Sequence, residues 1–288
     1  MPPRRATPQQ PTRRIETRPT ARSVDSVRVS SQYRALRQLG KPIEDGVAWP
    51  RPMCPFCWEG HVAFSEPSTD EDSASKRARA NEYWEPEWIS GRFISAGRCD
   101  NPECEQTVKS FGVYSVGETT RHEIPQYSAF YRVEYLSPAL KLLALPEDVP
   151  GDVDDAIERA ERVLFLDPGL AATALRASVE RFLTHVGIPS ERDNGGFMTL
   201  DARLKEWKRQ TGHDRAAALF LAVKWIGNRG THEVSDLSVD DVIDGAEFIG
   251  EAFHALFTSP GLDARAQSVN ERKGHPHKVL PHRRTRSR

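Results

Sequence analysis

Apolar residues in the second half of the chain repeat with a helical period. Val153, Ile157, Ala160 and Leu164 fall on one face, after a first turn rich in aspartate. This pattern predicts a helix over residues 152–166.

The next helix has clear start and stop signals. Asp167 suits the N-cap, Pro168 the first helical position, and Gly187 the end. Similar periodicity predicts further helices over 199–210, 214–228 and 239–257. The short connections between them favour an antiparallel bundle.

Residues 46–125 follow a different pattern. The runs GHVAFSE, EWISGRFISAG and TVKSFGVYSVG mix β-branched and aromatic residues with turn formers, which is typical of short antiparallel strands. The polar segment 67–80 between the first two runs carries few apolar residues. We expect it to be a flexible excursion between strands.

Together these patterns predict a mainly α protein with a small N-terminal β module. The expected divisions, in chain order, are a disordered basic arm with a short helix near its end (1–45), a zinc-ribbon-like module (46–125), an extended proline-containing linker (126–150), a helical bundle (151–258) and a disordered basic tail (259–288).

The two ends are basic although the formal net charge is −1. Residues 1–30 hold seven arginines against Glu16 and Asp25, and residues 265–288 hold eight lysines or arginines against Glu271. Such ends could contact nucleic acid phosphates, or they could simply be solubilising disorder. No apolar run approaches the length of a membrane span or resembles a secretory signal, so we expect a cytoplasmic location and no membrane partner.

The four cysteines form two close pairs, Cys54 with Cys57 and Cys99 with Cys104. Two turns that each present two thiolates across a small sheet can supply the four soft ligands of a structural zinc ion. Two disulfides and a redox CxxC are the alternatives. The expected cytoplasmic location disfavours disulfides, and a redox CxxC normally lies between a strand and a helix.

KWIGNRGTHE, residues 224–233, ends the most apolar predicted helix. Lys224 must reach solvent or a carboxylate there, and Asn228 follows on the same face. Gly227 and Gly230 predict that the chain leaves the helix, which would place His232 in a turn facing a ligand.

Arg176 and Glu180 lie four residues apart beside the apolar stripe of the preceding bundle helix. They form either a solvated pair or, with Lys224, Asn228 and His232, a polar site between two facing helices.

Residues 125–257 resemble a known family. The segment from YLSPALKLL to FLTHVGI, followed by IGNRGTHE, is similar to a large bacterial domain-of-unknown-function family often found with restriction and other phage-defence genes. The resemblance implies a HEPN-like antiparallel bundle, since that family is considered a distant relative of HEPN domains. It marks five functional positions: Arg176, Glu180, Gly227, Asn228 and His232.

The same resemblance implies a function. HEPN ribonucleases place an arginine a short fixed distance before the histidine, whereas Trp225, Ile226 and Gly227 hold the matching positions here. We therefore expect a non-catalytic module that binds RNA, another nucleic acid, a nucleotide or a protein partner from a defence operon. The alternative is a metal-independent ribonuclease in which His232 is the base and Lys224 or Arg176 the cation. The family also implies a possible homodimer.

Overall fold

Both helices and strands build this protein, so the predicted mainly α class is wrong. The computed structural model describes residues 26–121, 123–192, 194–232 and 237–258. It is mixed, with 45% helix and 23% strand, and the strands form a curled antiparallel half-barrel. The predicted basic tail, 259–288, and the first 25 residues of the predicted arm, 1–45, lie outside the described residues.

The sheet carries six strands. In chain order they are β1 (Ile43–Glu44), β2 (Val62–Phe64), β3 (Ser68–Glu71), β4 (Ser90–Cys99), β5 (Thr107–Arg121) and β6 (Ile124–Ser137). Their order across the sheet is β1-β6-β5-β4-β2, and β3 also pairs with β4. All pairs are antiparallel.

Part of the segment predicted to be an extended linker, 126–150, is the strand β6. Residues 126–137 belong to a strand of 14 residues that pairs with the 15 residues of β5. Pro125 and a β-bulge hid it from pattern analysis. The register shifts between Phe111 and Gly112, which leaves Glu134 as the extra residue of β6 and breaks its alternation of faces.

The polar segment 67–80 is folded rather than a flexible excursion. It forms β3 and the short helix α2 (Ser73–Ala78). The Ser75 hydroxyl is buried and donates to Glu71 at 2.6 Å, and Arg79 makes two hydrogen bonds to the same carboxylate. Local polar bonds therefore replace the apolar contacts that the segment lacks. A 3-10 turn, Pro86–Trp88, leads into β4.

The remaining helices are α1 (Ser26–Leu39), α3 (Gly151–Val163), α4 (Pro168–His185), α5 (Leu200–Thr211), α6 (Asp214–His232) and α7 (Val239–Phe253), followed by a π-helical turn, His254–Thr258. Asp167 caps α4 through a 2.9 Å bond from the Leu170 N–H, as the sequence predicted. Ser238 and Asp241 form a capping box at the start of α7.

The short helix expected near the end of the basic arm is present as α1, but it belongs to the folded protein and not to a disordered arm. Its residues Tyr33, Leu36 and Leu39 are buried in the core. Arg37 forms ion pairs with the α7 carboxylates, including one of 2.5 Å to Asp244. The fold therefore begins before residue 46, with a helix that covers the bundle.

Two aromatic groups form the densest parts of the core. Under the sheet, the ring of Phe93 lies 5.7 Å from Trp49 and 5.3 Å from Tyr131. In the bundle, Phe182 packs on Phe220 and Phe253, at 5.4 and 5.3 Å. These edge-on and tilted contacts are typical of well-packed aromatic cores.

Candidate functional site

The four cysteine sulfurs come together at one end of the sheet. Their Sγ atoms all lie within 4.8 Å of one another. Cys54 is 3.8 Å from Cys104, and Cys57 is 3.7 Å from Cys99. Cys54 and Cys99 are buried, while the other two are partly buried.

Two tight turns hold this cluster. In the first, the Trp58 N–H donates to the Cys54 carbonyl at 3.1 Å, and Trp58 adopts a left-handed conformation with φ of 55°. The turn closes when the Cys54 N–H donates to the Gly60 carbonyl at 2.8 Å. In the second, the Cys104 N–H donates to Asn101 at 3.0 Å. Each turn therefore points two sulfurs inward, as the CxxC spacing predicted.

Backbone N–H groups point at the sulfurs. The Gly60 N–H lies 3.4 Å from Cys57 Sγ, and the Asn101 N–H 3.4 Å from Cys99 Sγ. Burial raises the pKa of the Cys54 and Cys99 thiols. The pKa of Cys57 is lowered instead: burial acts to raise it, but hydrogen bonds from the N–H groups of Gly60 and Glu59, together with those to Cys99 and Cys104, outweigh burial. The backbone N–H groups of the two turns are therefore placed to stabilise thiolates by hydrogen bonding.

The residues around the cluster leave little space. A Cβ at Gly60 would lie 2.6 Å from Cys99 Sγ, so a side chain there would collide with the sulfur. Asp100 joins the two turns, because its carboxylate accepts from the His61 N–H at 2.6 Å and from Arg51 at 2.8 Å. The four cysteines could bind a metal ion.

The predicted polar site in the bundle is only partly assembled. Arg176 on α4 donates to Asn228 Oδ1 on α6 at 2.8 Å and to Glu180 Oε1 at 3.1 Å. Arg176, Glu180 and Asn228 therefore form one network between the two helices. His232 is the last residue of α6, but its side chain lies outside the described part of the structure.

Lys224 takes part in a different contact. Its ammonium lies 3.4 Å from Asp201 on α5 and 4.0 Å from the centre of the Trp225 ring. Hydrogen bonding from Lys205, then the charge of Lys224, lowers the pKa of Asp201. Lys224 thus finds a carboxylate partner, one of the two outcomes expected, but it does not join Arg176.

The turn predicted within KWIGNRGTHE does not exist, because α6 runs unbroken to His232. Gly227 and Gly230 instead allow α6 to approach α4. A Cβ at Gly227 would lie 2.5 Å from the Cβ of Arg176, and one at Gly230 would lie 2.3 Å from the Gly169 carbonyl oxygen. Glycine is as compatible with close helix packing as with a helix stop, and here packing is its role.

The outer face of the sheet carries a candidate site that sequence reasoning missed. Ile94, Phe111 and Tyr135 lie side by side on the neighbouring strands β4, β5 and β6. We call these three residues the apolar row. Ile94 is 49% and Tyr135 45% exposed, which is unusual for neighbouring large apolar side chains. The rings of Phe111 and Tyr135 are 6.2 Å apart.

Basic side chains lie in the registers on both sides of the apolar row. Lys109 and Arg98 follow on one side, and Arg92 and Arg132 flank Val113 on the other. A cleft of about 650 Å³ lies on this second side, lined among others by Arg92, Val113 and Arg132. The period-two alternation of β4 and β5 could have revealed the row, but Tyr135 depends on the bulge.

The structure therefore defines a two-module protein, in which a sheet with a four-cysteine cluster is joined to a helical bundle. Residues 46–140 match the family model described as Domain of unknown function (DUF8608). Residues 158–272 match a second model, Domain of unknown function (DUF4145). No curated protein and no solved structure matches the chain. Among the described helices, none is both long and apolar enough to cross a membrane.

Proposed function

We propose that this protein is a non-catalytic module that binds single-stranded RNA on the outer face of its sheet. The observation that carries the proposal is the apolar row, in which the exposed ring of Tyr135 and the partly exposed ring of Phe111 lie between basic residues. An aromatic ring on an open sheet can stack a base of any sequence, and unpaired bases are free to stack.

The surrounding cations suit the phosphate backbone. Arg92 and Arg98 each pair with an exposed carboxylate, at 3.5 and 3.0 Å, and Arg132 pairs with the partly exposed Glu134 at 3.4 Å. Such exposed pairs contribute only ~0–1 kcal/mol, so a phosphate can replace the carboxylate at small cost. Lys109 makes no ion pair with a described residue and is exposed. The face therefore offers both stacking and charge.

The bulge at Glu134 supports a role for Tyr135. Before the bulge, Tyr131 and Val133 face the core. A regular strand would turn Tyr135 inward as well, but the extra residue moves it to the outer face and sends Leu136 into the core. The fold thus interrupts a strand to expose a tyrosine.

We propose further that the metal is a structural zinc ion held by Cys54, Cys57, Cys99 and Cys104. A tetrahedron with zinc–sulfur bonds of ~2.3 Å has edges of about 3.8 Å. Two of the sulfur separations, 3.7 and 3.8 Å, fit that edge, whereas disulfide sulfurs lie ~2.0 Å apart. Zinc would fasten β2 to the end of β4, and thereby hold the edge of the sheet next to Arg98.

The polar network of the bundle does not favour a ribonuclease. The guanidinium group of Arg176 already bonds to Asn228 and Glu180, so it is not poised for a scissile phosphate. The polar network instead joins α4 to α6.

The test is the affinity for a short fluorescent single-stranded RNA, measured by anisotropy. Phe111→Ala and Tyr135→Ala should each weaken binding about tenfold, since stacking contributes ~1–3 kcal/mol per base. Phe197→Ala is the matched control, because Phe197 is 72% exposed in the bundle module and lies far along the chain from the row. Circular dichroism verifies that each variant is folded.

Salt dependence tests the charged part of the site. The logarithm of the affinity should fall linearly with the logarithm of salt concentration, with a slope of about −0.7 per phosphate contacted. Lys109→Gln should reduce that slope by about one contact. Equal binding of the wild type, Phe111→Ala and Tyr135→Ala would disprove the proposal. Preference for a duplex over the single strand would also disprove it.

A further inference from the structure

A small cavity between α4 and α5 contains a buried arginine that pairs with no carboxylate of the described residues. The cavity has a volume of about 250 Å³ and is lined by Asp152, Ala177, Glu180, Arg181, Thr184 and Arg203. Arg203 is only 4% exposed. Among the described residues it forms no ion pair, whereas Arg162, Arg176, Arg209 and Arg215 of the same bundle each pair with a carboxylate.

One of the two acidic residues that line the cavity is already engaged. Glu180 lines the same cavity, but its Oε1 accepts from Arg176, with a nitrogen–oxygen distance of 2.9 Å. Burial lowers the pKa of Arg203, and Glu180 opposes this only by its more distant charge. A buried guanidinium without a counter-ion destabilises the folded state, which needs an explanation.

A structural role accounts for one nitrogen of Arg203. Its Nη2 donates to the Ile188 carbonyl at 2.7 Å and to Thr184 Oγ1 at 2.8 Å, so it caps the end of α4. The Nε atom is buried and bonds to no described residue, and Nη1 has no hydrogen bond in the described part of the chain. The Nε and Nη1 groups of Arg203 are therefore hydrogen-bond donors without a partner among the described residues, beside the cavity.

Arg181 supplies a second cation at the same cavity. It lies on α4, one turn before the exposed Thr184, and its Nη1 donates to the Asp152 carbonyl. Asp152 also lines the cavity, and the negative charge of its carboxylate would repel an anion bound there. The cavity is too small for a nucleoside, for which pockets are usually larger than ~300 Å³. Its size suits one tetrahedral oxyanion.

We infer that this cavity binds a phosphate group, held by the guanidinium groups of Arg203 and Arg181 with Thr184 at the rim. A guanidinium fork matches two phosphate oxygens, and the anion would supply the missing counter-charge. The phosphate is either free or the terminal group of a nucleotide or RNA. The site lies on the bundle, so it does not depend on RNA binding at the apolar row.

The test is thermal stability with increasing inorganic phosphate, against chloride at the same ionic strength. Phosphate should raise the Tm of the full-length protein. Arg203→Met should abolish that increase, and Arg181→Met should reduce it. Arg209→Met is the matched control, because Arg209 is exposed on the same helix and pairs only with Glu206 among the described residues. It should respond like the wild type.

Calorimetry with 5′-phosphorylated and 5′-hydroxyl forms of one short RNA separates the sources. Tighter binding of the phosphorylated form, lost in Arg203→Met, assigns the site to an RNA end. Equal binding of the two forms, with a Tm response to phosphate, assigns it to free phosphate. No Tm response in the wild type, or an equal response in Arg181→Met, overturns the inference even if Arg203→Met fails to fold. Loss of RNA binding in Phe111→Ala with an intact phosphate response would separate the two sites.

Discussion

The backbone N–H of Met53 donates a 2.7 Å hydrogen bond to the side-chain oxygen of Gln32. The amide nitrogen of Gln32 in turn donates to the Lys141 carbonyl, also at 2.7 Å. Gln32 is 2% exposed, so one buried amide joins α1 to the residue before the first cysteine and to the segment that enters the bundle. The two modules thus share a polar link as well as a core.

Gln32→Ala should destabilise the whole protein. It removes the partner of a buried N–H and of a partly buried carbonyl, at about 1–3 kcal/mol for each group that stays unpaired. We expect a loss of roughly 3 kcal/mol in the free energy of unfolding by urea. Gln38→Ala, on the exposed side of the same helix, should change it by less than about 0.5 kcal/mol. Equal effects of the two variants would show that the link contributes nothing.

Removal of the proposed zinc ion should unfold the end of the sheet. We expect elemental analysis to find about one zinc ion per chain, and we expect a strong chelator to lower the Tm. Cys54→Ser should lose the zinc, while Glu103→Gln, exposed in the second cysteine turn, should retain it. Metal-free protein with the Tm of the untreated protein would contradict the zinc assignment.

Gly227→Ala should weaken the contact between α6 and α4. The new methyl group would lie 2.5 Å from the Cβ of Arg176 and 3.0 Å from the Ala172 carbonyl oxygen, so the helices must separate. Overpacking of this kind costs about 1–3 kcal/mol. Gly151→Ala is the control, because no atom lies within 4 Å of its added methyl group. We expect it to be neutral or slightly stabilising in the same urea titration.

Local signals in the sequence predicted part of this fold. Asp167 and Pro168 mark the start of α4 because a cap and a fixed φ act within one turn. The cysteine pairs predicted a cluster because two short turns can place four sulfurs together. In contrast, Gly227 was misread, because a glycine that ends a helix and one that admits a neighbouring helix look alike in sequence.

Features that depend on register could not be predicted in this way. The outward position of Tyr135 results from a bulge whose existence depends on pairing between β5 and β6. The counter-ion missing from Arg203 is evident only once Glu180 is seen to bond to Arg176. Both facts arise from contacts between distant elements, to which periodicity is blind.

The last prediction concerns pH. Glu161 is buried, and its carboxylate accepts from the Leu142 N–H at 2.9 Å and pairs with Lys141 at 3.1 Å. Burial raises the pKa of Glu161 from 4.5 to about 7, against the opposing charge of Lys141. Between these pH values the folded state holds more protons than the unfolded state. Stability should therefore fall as pH rises from ~4.5 to ~7, by up to about 1.4 kcal/mol per pH unit, and then level off.

Glu161→Gln should remove this dependence, because an amide can accept the same bond from Leu142 but does not titrate. The measurement is the free energy of unfolding by urea at several pH values between about 5 and 8, compared between variant and wild type. Glu158→Gln is the control, since Glu158 pairs with the same lysine at 3.1 Å but is 36% exposed. It should keep the wild-type slope. If Glu161→Gln kept that slope too, another group would have to carry the pH dependence.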